Sequence, residues 1–206
     1  MITLYHAPQS RSSRMIWLLE EIGVKYEIRP VSIYRPMTGE GTGDAVNPHP
    51  DKRVPALVHN DALLAESVAI LLYLADTFPE AGLAPLPGDA RRGDYLTWVA
   101  WYATELEAAT FASMAGETAA FPQKRRNYDA VVRRLEDALA RGPYLLGDAF
   151  SGADFLVSSI LAFARHAFPA SEAIDAYIAR CNDRPAAIRA LDLDTASGPQ
   201  GVAVAA

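Results

Sequence analysis

The residues best suited to chemistry fall in three short stretches of the N-terminal half. Ser10, Ser12 and Ser13 set three hydroxyls among Arg11 and Arg14, just ahead of an apolar run. A hydroxyl at the start of a helix can donate to an anion, and the helix dipole acts in the same direction. One of the serines can equally do no more than cap that helix. Lys52 and Arg53 precede Val54-Pro55; they suit a carboxylate and are otherwise solvated loop charges. Glu66-Ser67 opens a second apolar run. A helix beginning at Ser67 offers free N–H groups and a hydroxyl to a carboxylate, and Glu66 offers an acceptor to an ammonium. The plainer reading of that pair is a helix cap. Other chemistries lack their residues. His6, His49, His59 and His166 show no ligand spacing, so no metal is expected. Gly39, Gly41 and Gly43 do not make a dinucleotide fingerprint, and no phosphate loop occurs, so no nucleotide is expected. The single cysteine, Cys181, excludes an internal disulfide and any Cys-x-x-Cys site, and reads as structural.

The elements that must position these residues follow from periodicity. Ile2–Tyr5 and Tyr26–Val31 read as strands around a helix, Ser12–Ile22, whose apolar stripe is Met15, Ile16, Leu18, Leu19 and Ile22 and whose stop is Gly23. Ala56–His59 and Ala62–Ala65 flank Asn60-Asp61, a tight hairpin turn. Ser67–Thr77 is helical again. The order is β-α-β, an irregular loop over 34–47, then β-β-α: a parallel crossover unit followed by an antiparallel hairpin and helix. Proline and glycine between Pro79 and Gly88 mark a linker. Beyond it the strand pattern disappears, and 89–116, 122–141, 152–166 and 171–182 read as helices. The expected division is therefore 1–78, a linker 79–88, and an all-helical domain 89–206 with a loose tail from Thr195. Glu20-Glu21 reads as a solvated helix face that also helps shape the domain contact.

Composition narrows the class. A chain of 206 residues is one large or two small domains at ~150 residues each. The net charge of −6, with no basic run, argues against nucleic acid. Half the residues are apolar and 21% charged, which fits a soluble protein with a packed core. The longest apolar run, Val68 to Ala75, is far short of the ~20 residues of a membrane span. No basic segment with an apolar core opens the chain. A cytoplasmic location is the expectation.

Four motifs in order then carry a resemblance. Pro8-Gln9-Ser10-Arg11-Ser12-Ser13-Arg14-Met15-Ile16-Trp17-Leu18-Leu19-Glu20-Glu21-Ile22-Gly23 resembles the first turn and helix of cytosolic glutathione transferases. Arg53-Val54-Pro55-Ala56-Leu57 resembles their Val-Pro segment, and Glu66 to Leu74 their Glu-Ser motif. Ser151-Gly152-Ala153-Asp154 resembles the capping motif of their helical domain. The resemblance runs to about residue 190 and is to bacterial, serine-type members without an N-terminal catalytic cysteine. The loop before Val54 departs from the family's Asn-Pro-x-Gly-Lys: here it is His49-Pro50-Asp51-Lys52-Arg53.

The resemblance implies a two-domain α+β/α/β fold: a thioredoxin-like N-terminal domain and an all-α C-terminal bundle. It implies a glutathione transferase, detoxifying a small hydrophobic electrophile, with dehalogenation, ether cleavage and isomerisation as variants. It also implies glutathione as co-substrate and a homodimer. A non-catalytic glutathione-fold binding or interaction protein is the alternative. Val54 would offer its backbone to the cysteinyl peptide beside a cis Pro55, Glu66 and Ser67 would hold the γ-glutamyl end, and Arg53, then Lys52, the glycyl carboxylate. A thiol of pKa near 8.5 is only about 3% ionised at pH 7. One hydrogen bond to its anion is worth roughly 1.5–3 kcal/mol, or about one to two pKa units. Ser10, four residues before Arg14 in the Ser-x-x-x-Arg arrangement of serine-type members, is the first choice for that donor. Ser12 and Tyr5 follow, Tyr5 being more simply a core tyrosine. Trp98, Trp101, Tyr102, Glu105 and Phe111 are candidates for the electrophile pocket, and at helical spacing equally core or dimer contacts.

Overall fold

A computed structural model describes residues 1–196. Its residues form two compact units, Met1–Ala81 joined by residues 184–196, and Gly82–Asp183. The first unit holds one four-stranded sheet of order β2-β1-β3-β4, built from β1 (Ile2–His6), β2 (Tyr26–Pro30), β3 (Ala56–His59) and β4 (Ala62–Ala65). β1 runs parallel to β2 and antiparallel to β3, and β3 pairs antiparallel with β4. This is the expected βαβ–ββα order of a thioredoxin-like domain. The hairpin turn forms because Asn60 and Asp61 both accept left-handed backbone, at φ 48° and 65°.

Helix α1 (Ser13–Ile22) supplies the crossover, and Gly23 ends it in a left-handed cap whose N–H donates to the Leu19 carbonyl. Met15, Ile16, Leu18 and Leu19 are wholly buried, as are Ile70, Leu71 and Leu74 of α2 (Ser67–Thr77). Each such side chain stabilises the fold by roughly 1.5–3 kcal/mol, so the two helices are fixed in rotation, and with them the residues at their N-termini.

The chain from Arg184 differs from the sequence reading, which placed it in the helical domain. Helix α9 (Pro185–Ala196) lies in the first unit, packed on α1. Ala186, Ala190 and Asp194 form its buried face, at helical i, i+4 steps. Two ion pairs fasten it. Arg184 Nε donates to Glu21 Oε1 at 2.6 Å, and Arg189 Nε to Glu20 Oε2 at 2.6 Å. Glu20 also accepts from the Tyr26 hydroxyl, and Glu21 from Trp17 Nε1. These two glutamates are therefore no solvated face; their side chains are only 13% and 8% exposed. Burial and the Glu20 contact push the Tyr26 phenol far above its ordinary pKa. Thr195 and Ala196 end α9, and the remainder of the expected loose tail lies outside the described residues.

The second unit is helical. Its described helices are α3 (Arg92–Trp101), a π turn (Tyr102–Leu106), α4 (Glu107–Met114), α5 (Glu117–Ala120), α6 (Pro122–Leu139), α7 (Gly152–Phe163) and α8 (Glu172–Asn182). Tyr95, Trp101, Tyr102 and Leu106 are buried, and Phe111 is more than a third exposed. Arg134 stacks over Trp98 and Trp101, 4.6 and 4.9 Å from their centroids. The Ser151/Asp154 box is formed and caps α7. Asp154 Oδ2 accepts from the Ser151 amide and hydroxyl, and Oδ1 from the Leu145 amide and Tyr177 hydroxyl. Cys181 is buried and unbridged.

Candidate functional site

Strand register gathers the sequence-selected segments at one end of the sheet. Tyr5 lies opposite Ala56, and Ala56 opposite Ala65. The chain leaving β1, the chain entering β3 and the chain leaving β4 therefore share one edge. These carry Ser10, Val54-Pro55 and Glu66-Ser67 respectively. The Val54 side chain is part of one buried cluster with Tyr5, Ala7, Val31 and Ala56, which packs the Val-Pro segment beside the first turn. The Val54–Pro55 peptide is cis.

The first turn is tightly held. Gln9 takes φ 53°, a left-handed conformation a non-glycine residue rarely adopts. Arg35 clamps it, Nη2 donating to the Pro8 carbonyl at 2.8 Å and Nη1 to the Gln9 carbonyl at 3.2 Å. The Gln9 amide donates to Asp194 Oδ2 at 3.2 Å. Ser10 Oγ is half-buried, donates to the Ala7 carbonyl at 2.6 Å, and lies 2.8 Å from Ser12 Oγ. The Ser10 amide donates to Ser13 Oγ.

Ser12 is fully buried. Although it is the N-cap residue of α1, its hydroxyl makes no capping bond. It accepts from the Ala7 amide at 3.1 Å and lies 2.9 Å from His6 Nδ1. His6 is itself fully buried, with Nε2 at 3.2 Å from Asp194 Oδ1, within ion-pair distance but not aligned as a hydrogen bond. Asp194 sits below the ordinary carboxylate range. Burial pushes it up, but the contacts from His6, Ser13 and the Gln9 amide outweigh that and pull it down. Tyr5 is 8% exposed in the core; Arg29 reaches its hydroxyl at 3.4 Å and lies over its ring.

The two loop cations are engaged within their own loop. Arg53 Nη2 donates to Asp51 Oδ2 at 2.6 Å, both side chains 65% exposed. Lys52 Nζ donates to the Asn47 carbonyl at 2.7 Å, and Lys52 takes φ 54°. At the third segment, Glu66 is exposed at φ 68° and Ser67 is buried at the first position of α2. A non-glycine residue in that conformation costs of order 1–3 kcal/mol and concentrates at ligand sites. Its neighbours there are the free N–H groups of a helix start.

Sequence reasoning missed three residues at this edge. Arg35 lies in a loop with no pattern, and His6 meets its carboxylate, Asp194, only from far along the chain. Asp194 did carry a signal: it is a carboxylate in the i, i+4 stripe of Ala186 and Ala190. Among the described residues no group of His, Cys, Asp and Glu could hold a metal ion. No helix among them is long and apolar enough to cross a membrane.

Comparison with known proteins agrees with this geometry. Residues 1–76 match the model of the glutathione S-transferase N-terminal domain, and 118–189 that of the C-terminal domain. Glutathione S-transferase 3 of Zea mays is 31% identical over 170 residues, 74% of this chain and 73% of the relative. The chain spans only 57% of a Dictyostelium discoideum glutathione S-transferase domain-containing protein, 28% identical over 155 residues (68% of this chain). A glutathione transferase crystal structure from Methylococcus capsulatus superposes with a TM-score of 0.75 at 32% identity, covering 95% of this chain and 99% of that one. A sphingomonad glutathione S-transferase complexed with glutathione gives 0.76 at 27%, covering 94% and 98%. With the thioredoxin-like sheet, the helical second unit and both domain models in agreement, the chain belongs to the glutathione S-transferase family.

Proposed function

We propose that this protein binds glutathione at the sheet edge bearing Ser10, Val54-Pro55 and Glu66-Ser67. There it holds the thiol as a thiolate and joins it to a small hydrophobic electrophile by addition or substitution. The convergence of those three segments in the strand register carries the reading. The neighbour solved with glutathione supports the ligand. The Val54 backbone pairs with the cysteinyl peptide as an added strand would. Ser67 and the start of α2 take the γ-glutamyl carboxylate, and Glu66 its ammonium. The Ser10 hydroxyl turns from the Ala7 carbonyl to the sulfur. The exchange replaces a bond to a neutral carbonyl by one to an anion, which is about twice as strong. Arg53 or Lys52 takes the glycyl carboxylate by leaving its present partner. The working unit is a homodimer in the cytoplasm, as the resemblance to glutathione transferases implies.

A second reading, a glutathione-binding protein without turnover, is favoured by those same two cations being already engaged. Titrating the bound thiol by its thiolate absorbance near ~240 nm separates the two. The proposal expects a bound pKa well below 8.5, and Ser10→Ala raising it by about one to two units with little loss of affinity. An unshifted thiol in the wild type leaves the binding protein. An unchanged pKa in Ser10→Ala moves the role to another group.

A further inference from the structure

A thiol that becomes a thiolate must give its proton to something. Behind Ser10 a line of polar atoms runs into the protein: Ser10 Oγ to Ser12 Oγ at 2.8 Å and Ser12 Oγ to His6 Nδ1 at 2.9 Å, both within hydrogen-bond distance, and then His6 Nε2 at 3.2 Å from Asp194 Oδ1 as an ion-pair contact. Only its outer end, Ser10, is partly exposed beyond the carboxylate; Ser12 and His6 are wholly buried. The His6 imidazole sits between the hydroxyl of Ser12, the N-cap residue of α1, and a carboxylate of α9.

We propose that His6 is the proton acceptor for the bound glutathione thiol, reached through the hydroxyls of Ser10 and Ser12, with Asp194 as the positioning residue. The inference rests on the reading that the thiol lies against Ser10. Asp194 beside Nε2 holds the Nε2–H tautomer, leaving Nδ1 as an acceptor. With the thiol bound, the Ser10 hydroxyl turns from the Ala7 carbonyl so that each hydroxyl points inward: Ser10 O–H to Ser12 Oγ, and Ser12 O–H to His6 Nδ1. The thiol proton passes to Ser10 Oγ as the Ser10 proton passes to Ser12 Oγ and the Ser12 proton to Nδ1. One S–H bond breaks, one N–H bond forms, and each serine ends with one proton as it began. Afterwards every hydrogen bond points outward: imidazolium Nδ1–H to Ser12, Ser12 O–H to Ser10, and Ser10 O–H to the thiolate. The same three groups that remove the proton then stabilise the anion it leaves. Asp194 is the charged group facing His6, and is itself faced by the Gln9 amide and the Ser13 hydroxyl. Arg35 is held on the Pro8 and Gln9 carbonyls.

The test counts thiolates and protons separately on the full chain at pH 7. Difference absorbance measures thiolate formed on binding glutathione; calorimetry in two buffers of different ionisation enthalpy measures protons released to solvent. In the wild type, thiolate should form with well under half as many protons released. In His6→Asn every thiolate that forms should release its proton to buffer. Asp194→Asn should cut the thiolate fraction about threefold to tenfold, while affinity for S-methylglutathione, which has no proton to give, stays within about twofold. One proton released per thiolate in the wild type overturns the relay alone, and needs no variant to fold. Absence of thiolate on binding, or of binding itself, overturns the underlying site and the relay with it.

Discussion

Replacing Asp154 by alanine removes the acceptor for four donors at once. The Leu145 amide at 2.8 Å, the Ser151 amide at 2.9 Å, the Ser151 hydroxyl at 2.8 Å and the Tyr177 hydroxyl at 3.1 Å all end on this one carboxylate. The site has no solvent access, since Asp154 and Tyr177 are wholly buried and Ser151 nearly so. Burial raises the Asp154 pKa, and the four hydrogen bonds oppose that rise. The two hydroxyls can rotate toward other acceptors, but the two amides cannot. Each buried amide left without a partner costs roughly 1–3 kcal/mol. Alanine should therefore lower stability by about 4 kcal/mol, with the helix cap lost as well. For a chain of this size that is a fall in Tm of about 10 °C. Asparagine keeps one acceptor oxygen and should cost about half as much. Urea unfolding followed by far-ultraviolet circular dichroism measures both. A loss under about 1 kcal/mol for alanine would refute the reasoning, because it would mean that the amides recover their bonds without the carboxylate.

Two further outcomes follow from the first unit. Tyr5→Phe should leave turnover within about twofold of wild type, because its hydroxyl only receives a long bond from Arg29 and its ring is in the core; steady-state kinetics decides, and a large loss would transfer the thiol contact to Tyr5. Asp194, held below the ordinary carboxylate range, contributes stability that is present above its unfolded pKa and is lost as pH falls through the folded value. The stability gap between wild type and Asp194→Asn should thus be full near neutrality and close in acid, as denaturant curves at stepped pH would register.

How much was legible in the sequence depended on how local the cause was. The order of strands and helices along the first unit, α1 and α2 included, was readable, because each element rests on periodicity and on stop signals such as Gly23 and Asn60-Asp61 within a few residues. The Ser151/Asp154 box was readable for the same reason. The placement of α9 was not. Its attachment is made by pairs such as Arg184 with Glu21, whose distance in sequence leaves no pattern, and its buried stripe is short, two alanines and Asp194. Glu20 and Glu21 were misread as solvated because adjacency to an apolar stripe says nothing of what covers the next face. The serines were found as candidates, but only the structure separates them: Ser10 at the margin, Ser12 buried behind it, Ser13 turned to the Ser10 amide and Asp194.

The return of α9 to the first unit also sets an order of events during synthesis. The strands and both helices of the sheet region have been synthesised once residue 81 is made, yet residue 194 follows roughly 6–23 s later at ~5–20 residues per second. Throughout that interval His6 is without its carboxylate and Glu20 and Glu21 without their guanidinium partners. The nascent sheet is thus complete in its strands while its first turn is still missing a wall. A chain that ends before Arg184 would carry Ser10, Val54-Pro55 and Glu66-Ser67 at that end of the sheet but lack Asp194.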